Sequence, residues 1–259
     1  MTHVYRYLMS SISGLGGFVF FLVESFFAFL GCQNRINKLI HSILEIGCRC
    51  IVIVLIIGLF TGMVMGLQMY YTLVKFGADA ALGTAVSLSI IRELGPVLTA
   101  LMIIGQSGSA LTSEIGIMRN DEQIDALETM QIDSKGFLSG PRIYAGLICF
   151  PILTAFFDII GIFGGYFSGS FLMGLDADIY WKKVFQSVQV SDVYGGLFKA
   201  LVFGFLTMGI CTFEGYYAHV NSNFKGVRGV TLAATKAVVK SSICVLIFDY
   251  LITSFLLER

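Results

Sequence analysis

The chain is constrained first by its uncharged apolar runs. Cys50–Val74 contains no Asp, Glu, Lys or Arg over twenty-five residues, and Leu94–Ser113 is equally free of charge. About 20 apolar residues in a helix cross the roughly 30 Å hydrocarbon core of a bilayer. Three further runs meet that length: Ile143–Leu175, interrupted by Asp158, then about Tyr194–Tyr217, and about Val238–Leu257 with Asp249 inside it. Only 13% of the residues are charged, against about 25% in soluble domains. The expected fold is an all-α integral membrane protein with five transmembrane helices. The second is expected to begin near Thr84 and reach Met118.

Gly14–Gly31 is long enough to span, yet Glu24 and Ser25 lie at its middle. A charge at the bilayer centre costs about 2.5–3.5 kcal/mol on insertion scales, so this run is expected to lie in the interface as an N-terminal helix. No cleavable signal or transit pattern precedes it. Five spans place the termini on opposite sides. With the N-terminus inside, the inner segments hold Arg6, Arg35, Lys38, Arg49, Arg119, Lys135, Arg142, Lys225, Arg228, Lys236 and Lys240, and the outer segments Lys75, Lys182, Lys183 and Arg259, with Arg92 and Lys199 near span ends and left uncounted. This asymmetry predicts a cytoplasmic N-terminus and 119–142 loop, and a periplasmic C-terminus. A bacterial inner membrane is the default location. Basic and acidic residues balance at 17 each, so no net charge recruits nucleic acid.

The six cysteines match no zinc or redox spacing and read as small buried hydrophobes. The three histidines are scattered, so neither a metal nor a cofactor is expected. Gly58-x3-Gly62-x3-Gly66 and Gly161-x3-Gly165-x3-Gly169 each put three glycines on one helix face. Such faces let helix backbones approach closely in lipid, as ordinary packing or as a dimer seam. Arg92-Glu93 is a candidate ion pair near the outer mouth, with Pro96 behind it as a cap or kink.

Asn120-Asp-Glu-Gln123 reads as a capping box opening a helix over Asn120–Ile132. On that helix Ile124, Leu127 and Met130 form an apolar stripe, and the acidic residues lie on other faces. An exposed helix with such a stripe needs a docking partner. No G-x4-G-K-[ST] occurs in the chain, so any ATP must be handled by another subunit.

Gly66-Leu-Gln68, Arg92-Glu-Leu-Gly-Pro-Val-Leu98, Gly108-Ser-Ala-Leu-Thr-Ser-Glu-Ile-Gly116, Met118-Arg119, Glu122-Gln-Ile-Asp-Ala-Leu-Glu128 and Pro141-Arg142 together resemble the MlaE/YrbE permease family. The resemblance covers about residues 45–257 in order. It implies the membrane subunit of an ABC transporter that moves phospholipid between the inner and outer membranes. It further implies a homodimer, a cytoplasmic ABC ATPase dimer and a periplasmic MCE-domain protein. On this resemblance the chain is one permease domain, 1–259, with an N-terminal interfacial region (1–44), a membrane core (45–257) and a coupling helix (120–132). Glu122, Ile124, Asp125, Leu127 and Glu128 correspond to the ATPase-coupling residues. Met65, Met69, Thr72, Leu73 and Phe76, one helical stripe on the outer half of the first span, correspond to the substrate-binding wall.

Two other classes fit parts of the sequence. An ion-coupled secondary transporter would use Glu114, Asp158, Glu214 and Asp249, but the inverted repeats such carriers show are not found. Gly105-Gln-Ser107-Gly108 resembles the nucleophile site of rhomboid-type intramembrane proteases. That chemistry needs a histidine within reach of Ser107, and neither His41 nor His219 is well placed.

Overall fold

The computed structural model describes residues 16–31, 35–218 and 226–257, and no strand occurs among them. The helices are α1 (Gly16–Ala28), α2 (Arg35–Val74), α3 (Asp79–Asn120), α4 (Gln123–Thr129), α5 (Ser134–Leu172), α6 (Ala177–Ser187), α7 (Val190–Tyr216) and α8 (Val227–Leu257). Five of them, α2, α3, α5, α7 and α8, are long and apolar enough to cross a membrane. The end of the bundle bearing residues 121–133 is called the lower end below. His3, Gly14, Cys32 and His219 lie outside the described residues.

Each spanning helix is longer than its apolar run. Polar residues extend α2 back to Arg35 through a single wide turn at Leu44–Cys48, so residues 35–44 of the segment expected to precede the core are continuous with the first span. The third span begins at Ser134 rather than Ile143, because Asp133 caps it by accepting from the Lys135 and Gly136 amides. Hydropathy marks the bilayer-length segment of a helix, whereas capping chemistry sets its end.

α1 has thirteen residues, about 20 Å of helix, too short to cross the hydrocarbon core. It rests on the lower ends of α5 and α7. Phe18 and Phe21 meet Phe213 edge to face at 5.4 and 5.5 Å. Gly140 faces Phe29 and the Ser25 carbonyl. Glu24, the charge that argues against a span, is paired with Lys135 Nζ at 2.6 Å.

The two glycine motifs face each other within one chain. The buried residues of the main helix of α2 are Cys50, Val54, Gly58, Gly62 and Gly66, a strict four-residue stripe. A Cβ on Gly62 would run into the Gly161 carbonyl, and one on Gly66 into the Ser168 hydroxyl. The first motif therefore serves ordinary close packing of the first span on the third, whereas Cβ atoms on Gly161, Gly165 and Gly169 would meet Ile90, Val86 and Leu82, so the second motif also seats α3. Of the described cysteines, Cys50, Cys149 and Cys211 are buried as expected, whereas Cys48 is exposed and Cys244 intermediate.

Candidate functional site

The segment after α3 differs from the expected capping box. Asn120 is the last residue of α3, and the chain breaks at Glu122, whose φ of 59° is left-handed. The helix that follows is only Gln123–Thr129. Its apolar stripe is turned inward: Ile124 is 0% exposed and Leu127 packs against the core of the same chain. The partner that this stripe requires is the membrane bundle itself. The surface left outward is acidic, with Asp121, Glu122 and Asp125 exposed beside Met130.

Polar bonds fix α4 to three spanning helices. Glu128 Oε1 accepts from Tyr216 at 2.9 Å and from Ser134 at 3.0 Å, and these two hydroxyls lie 2.9 Å apart. The Tyr216 hydrogen bond holds the Glu128 carboxyl below its usual range, with Ser134 adding to the effect. Asp125 is bonded to Arg119 Nη1 at 2.7 Å. These bonds tie α4 to the lower ends of α3, α5 and α7.

Arg92 and Glu93 do not pair with each other. Arg92 bonds Asp192 of α7, Nη2 at 2.7 Å and Nε at 2.9 Å. Glu93 bonds Lys199 Nζ at 3.0 Å. Adjacent residues point about 100° apart around a helix, so each meets a different neighbour. Lys199 is 2% exposed and also reaches Asp249 at 3.1 Å and Thr253 at 2.6 Å. Its fourth contact is the Arg92 carbonyl at 2.8 Å. Pro96, four residues on, has no N–H for that carbonyl, and Lys199 replaces the missing donor. The network joins α3, α7 and α8 in their upper halves. Lys199 and Asp192 are the residues that reading by spans passes over, because a lysine near a helix end looks like a solvated one. A pointer was available in Pro96, which has no N–H to offer the Arg92 carbonyl.

Met65, Met69 and Leu73 are half-buried along the upper part of α2, with Met69 and Leu73 against the core. Thr72 is exposed and Phe76 is 80% exposed. Phe76 lies in the turn that follows the end of α2 at Val74, so the expected helical stripe stops at Leu73.

Of the four carboxylates that an ion carrier would use, three are paired: Glu114 with Arg142 at 3.0 Å, Glu214 with Lys240 at 2.5 Å, and Asp249 with Lys199. Asp158 is the one of the four with no ion pair among the described residues, its Oδ1 buried against Gly95. Glu214 Oε2 is likewise buried without a hydrogen-bond donor, as is Asp249 Oδ1 apart from its ion pair with Lys199. Ser107 meets Cys50 Sγ at 3.0 Å and the Ile46 carbonyl at 3.4 Å. Neither neighbour is a general base of the kind hydrolysis requires.

The family model for permease MlaE matches residues 39–255. A relative from Haemophilus influenzae, the intermembrane phospholipid transport system permease protein MlaE, is 40% identical over 225 residues, covering 86% of this chain and 84% of the relative. A probable ABC transporter permease protein of Rickettsia bellii is 38% identical over 239 residues, covering 92% and 90%. A probable ABC transporter permease protein of Synechocystis is 35% identical over 236 residues, covering 90% and 88%. With the five spanning helices, the anchored short helix and this match across the bundle, the chain belongs to the MlaE permease family.

Proposed function

We propose that this chain is the membrane subunit of an ABC transporter that moves phospholipid between inner and outer membrane, working as a homodimer with a cytoplasmic ATPase dimer and a periplasmic MCE-domain protein. The observation that carries the reading is α4. A subunit without a nucleotide motif presents an exposed acidic surface whose reverse side is fixed to three spanning helices through Ile124, Glu128 and Arg119. Force applied there by a motor moves the bundle.

The relatives' names and the upper α2 stripe supply the substrate reading. Methionine side chains adapt to irregular partners, and Met65, Met69 and Leu73 with the exposed Thr72 and Phe76 give acyl chains an apolar wall. A second copy of the chain closes it. A photo-crosslinking amino acid at Thr72, in the complex reconstituted in lipid, is expected to capture phospholipid in a manner that depends on the nucleotide bound to the ATPase. One at Ile247, an exposed apolar position on α8, is expected to capture bulk lipid independently of nucleotide. Nucleotide-independent capture at both positions refutes the cavity.

A further inference from the structure

The lower end of the bundle contains a second feature, a shallow open crevice between α2, α3 and α5. Two wide turns build it, Leu44–Cys48 in α2 and Ile104–Gly108 in α3. Such turns recur at functional sites because they re-aim side chains and release backbone carbonyls. Here the Ser107 hydroxyl bridges the two, reaching Cys50 Sγ and the Ile46 carbonyl. The floor is rigid. Arg142 is 8% exposed, bonded through Nη2 to Glu114 Oε1 at 3.0 Å and through Nη1 to the Leu138 carbonyl at 3.2 Å.

The rim differs from the floor. Arg49 lines the crevice with its side chain exposed and makes no hydrogen bond or ion pair among the described residues. Glu45, one turn earlier on the same face, reaches only His41 at 3.6 Å. The crevice thus offers a guanidinium, Arg49, and a carboxylate, Glu45, that do not neutralise one another. A single-sign ligand satisfies only part of such a rim, whereas a zwitterion satisfies both parts. Above Arg49, at i+3, i+7 and i+11 on α2, stand Val52, Ile56 and Phe60, all apolar and exposed. The wall leading out of the crevice therefore faces hydrocarbon rather than water.

We infer that this crevice is a second lipid site, which holds the zwitterionic headgroup of an aminophospholipid. The phosphate sits on Arg49, the ammonium on Glu45, and an acyl chain lies along Val52, Ile56 and Phe60. Guanidinium bonds to phosphate are charge-assisted and directional. The inference rests on the phospholipid reading given above and adds a headgroup position at the opposite end of α2 from the Met65–Phe76 stripe. Free phosphate shares the Arg49 chemistry but leaves Glu45 facing an anion and the apolar wall unused.

The test places a benzophenone amino acid at Ala110, an exposed residue of the rim, in the full chain within its complex in nanodiscs. The probe is phosphatidylethanolamine with a tagged acyl chain. Arg49→Gln removes an exposed, unpaired side chain and leaves the packing intact. It is expected to lower capture about tenfold, the loss of one charge-assisted contact, and Arg49→Lys is expected to restore part of it. Glu45→Gln is expected to lower capture of phosphatidylethanolamine but not of tagged phosphatidylglycerol, and excess inorganic phosphate is expected to leave capture unchanged. Capture indifferent to Arg49→Gln overturns the site, and displacement by inorganic phosphate overturns its assignment to lipid. In either case, persistent nucleotide-dependent capture at Thr72 leaves the phospholipid reading standing. Failure at both positions brings that reading down as well.

Discussion

At the scale of single residues, the membrane core is specified by groups that lack alternatives. Lys199 is enclosed by Glu93, Asp249, Thr253 and the Arg92 carbonyl, and removing one partner of a buried pair typically costs about 3–5 kcal/mol. Lys199→Met is expected to destabilise the purified protein by that order, read as a lowered thermal midpoint in detergent. Asp249→Asn added to it is expected to recover part of the loss by removing one of two uncompensated carboxylates. The glycines make a paired prediction. Gly62→Ala drives a Cβ into the Gly161 backbone and is expected to cost about 1–3 kcal/mol through overpacking. Gly105→Ala meets nothing within 4 Å and is expected to be neutral or stabilising in the same assay, since alanine is the better helix former.

At the scale of elements, the short helix shows what a sequence carries and what it omits. The stripe of Ile124 and Leu127 was legible as an apolar face needing a partner, but periodicity does not say whether that partner lies in the same chain. The capping pattern at Asn120 was equally legible and yields to the longer α3, which runs through Asn120 before the left-handed Glu122 ends it. The five spans and the non-spanning α1 were readable because hydrophobic length is a local property. The Lys199 network was not, because it joins residues 107 and 54 positions apart. With the stripe turned inward, Asp125→Lys is expected to weaken recovery of the ATPase in co-purification while the permease still inserts, and undiminished recovery contradicts the acidic docking surface. Glu128 adds a pH dependence. Its carboxyl is held low in the folded state, so its anchoring contribution is complete above the ordinary glutamate range and is lost as pH falls through the lowered folded value. Amide exchange across residues 123–131 is expected to accelerate at that acid edge, and Glu128→Gln to abolish the transition.

At the scale of the whole molecule, five spans with one fixed lower end place α4 and the crevice on one side and α6 on the other. Gln131 and Asp178 are both exposed, which makes them fit reporters of orientation. A cysteine at Gln131 is expected to resist impermeant thiol reagent in intact spheroplasts and one at Asp178 to react, as the distribution of basic residues requires. The reverse pattern inverts the topology. The central claim is that a partner's ATP hydrolysis moves phospholipid through this bundle, and the most direct measurement is transfer of labelled phospholipid between two liposome populations by the reconstituted complex. Transfer is expected only when permease, ATPase and ATP are all present, and to stop when the ATPase is inactivated. Transfer by the permease alone, driven by an ion gradient and indifferent to ATP, would contradict it.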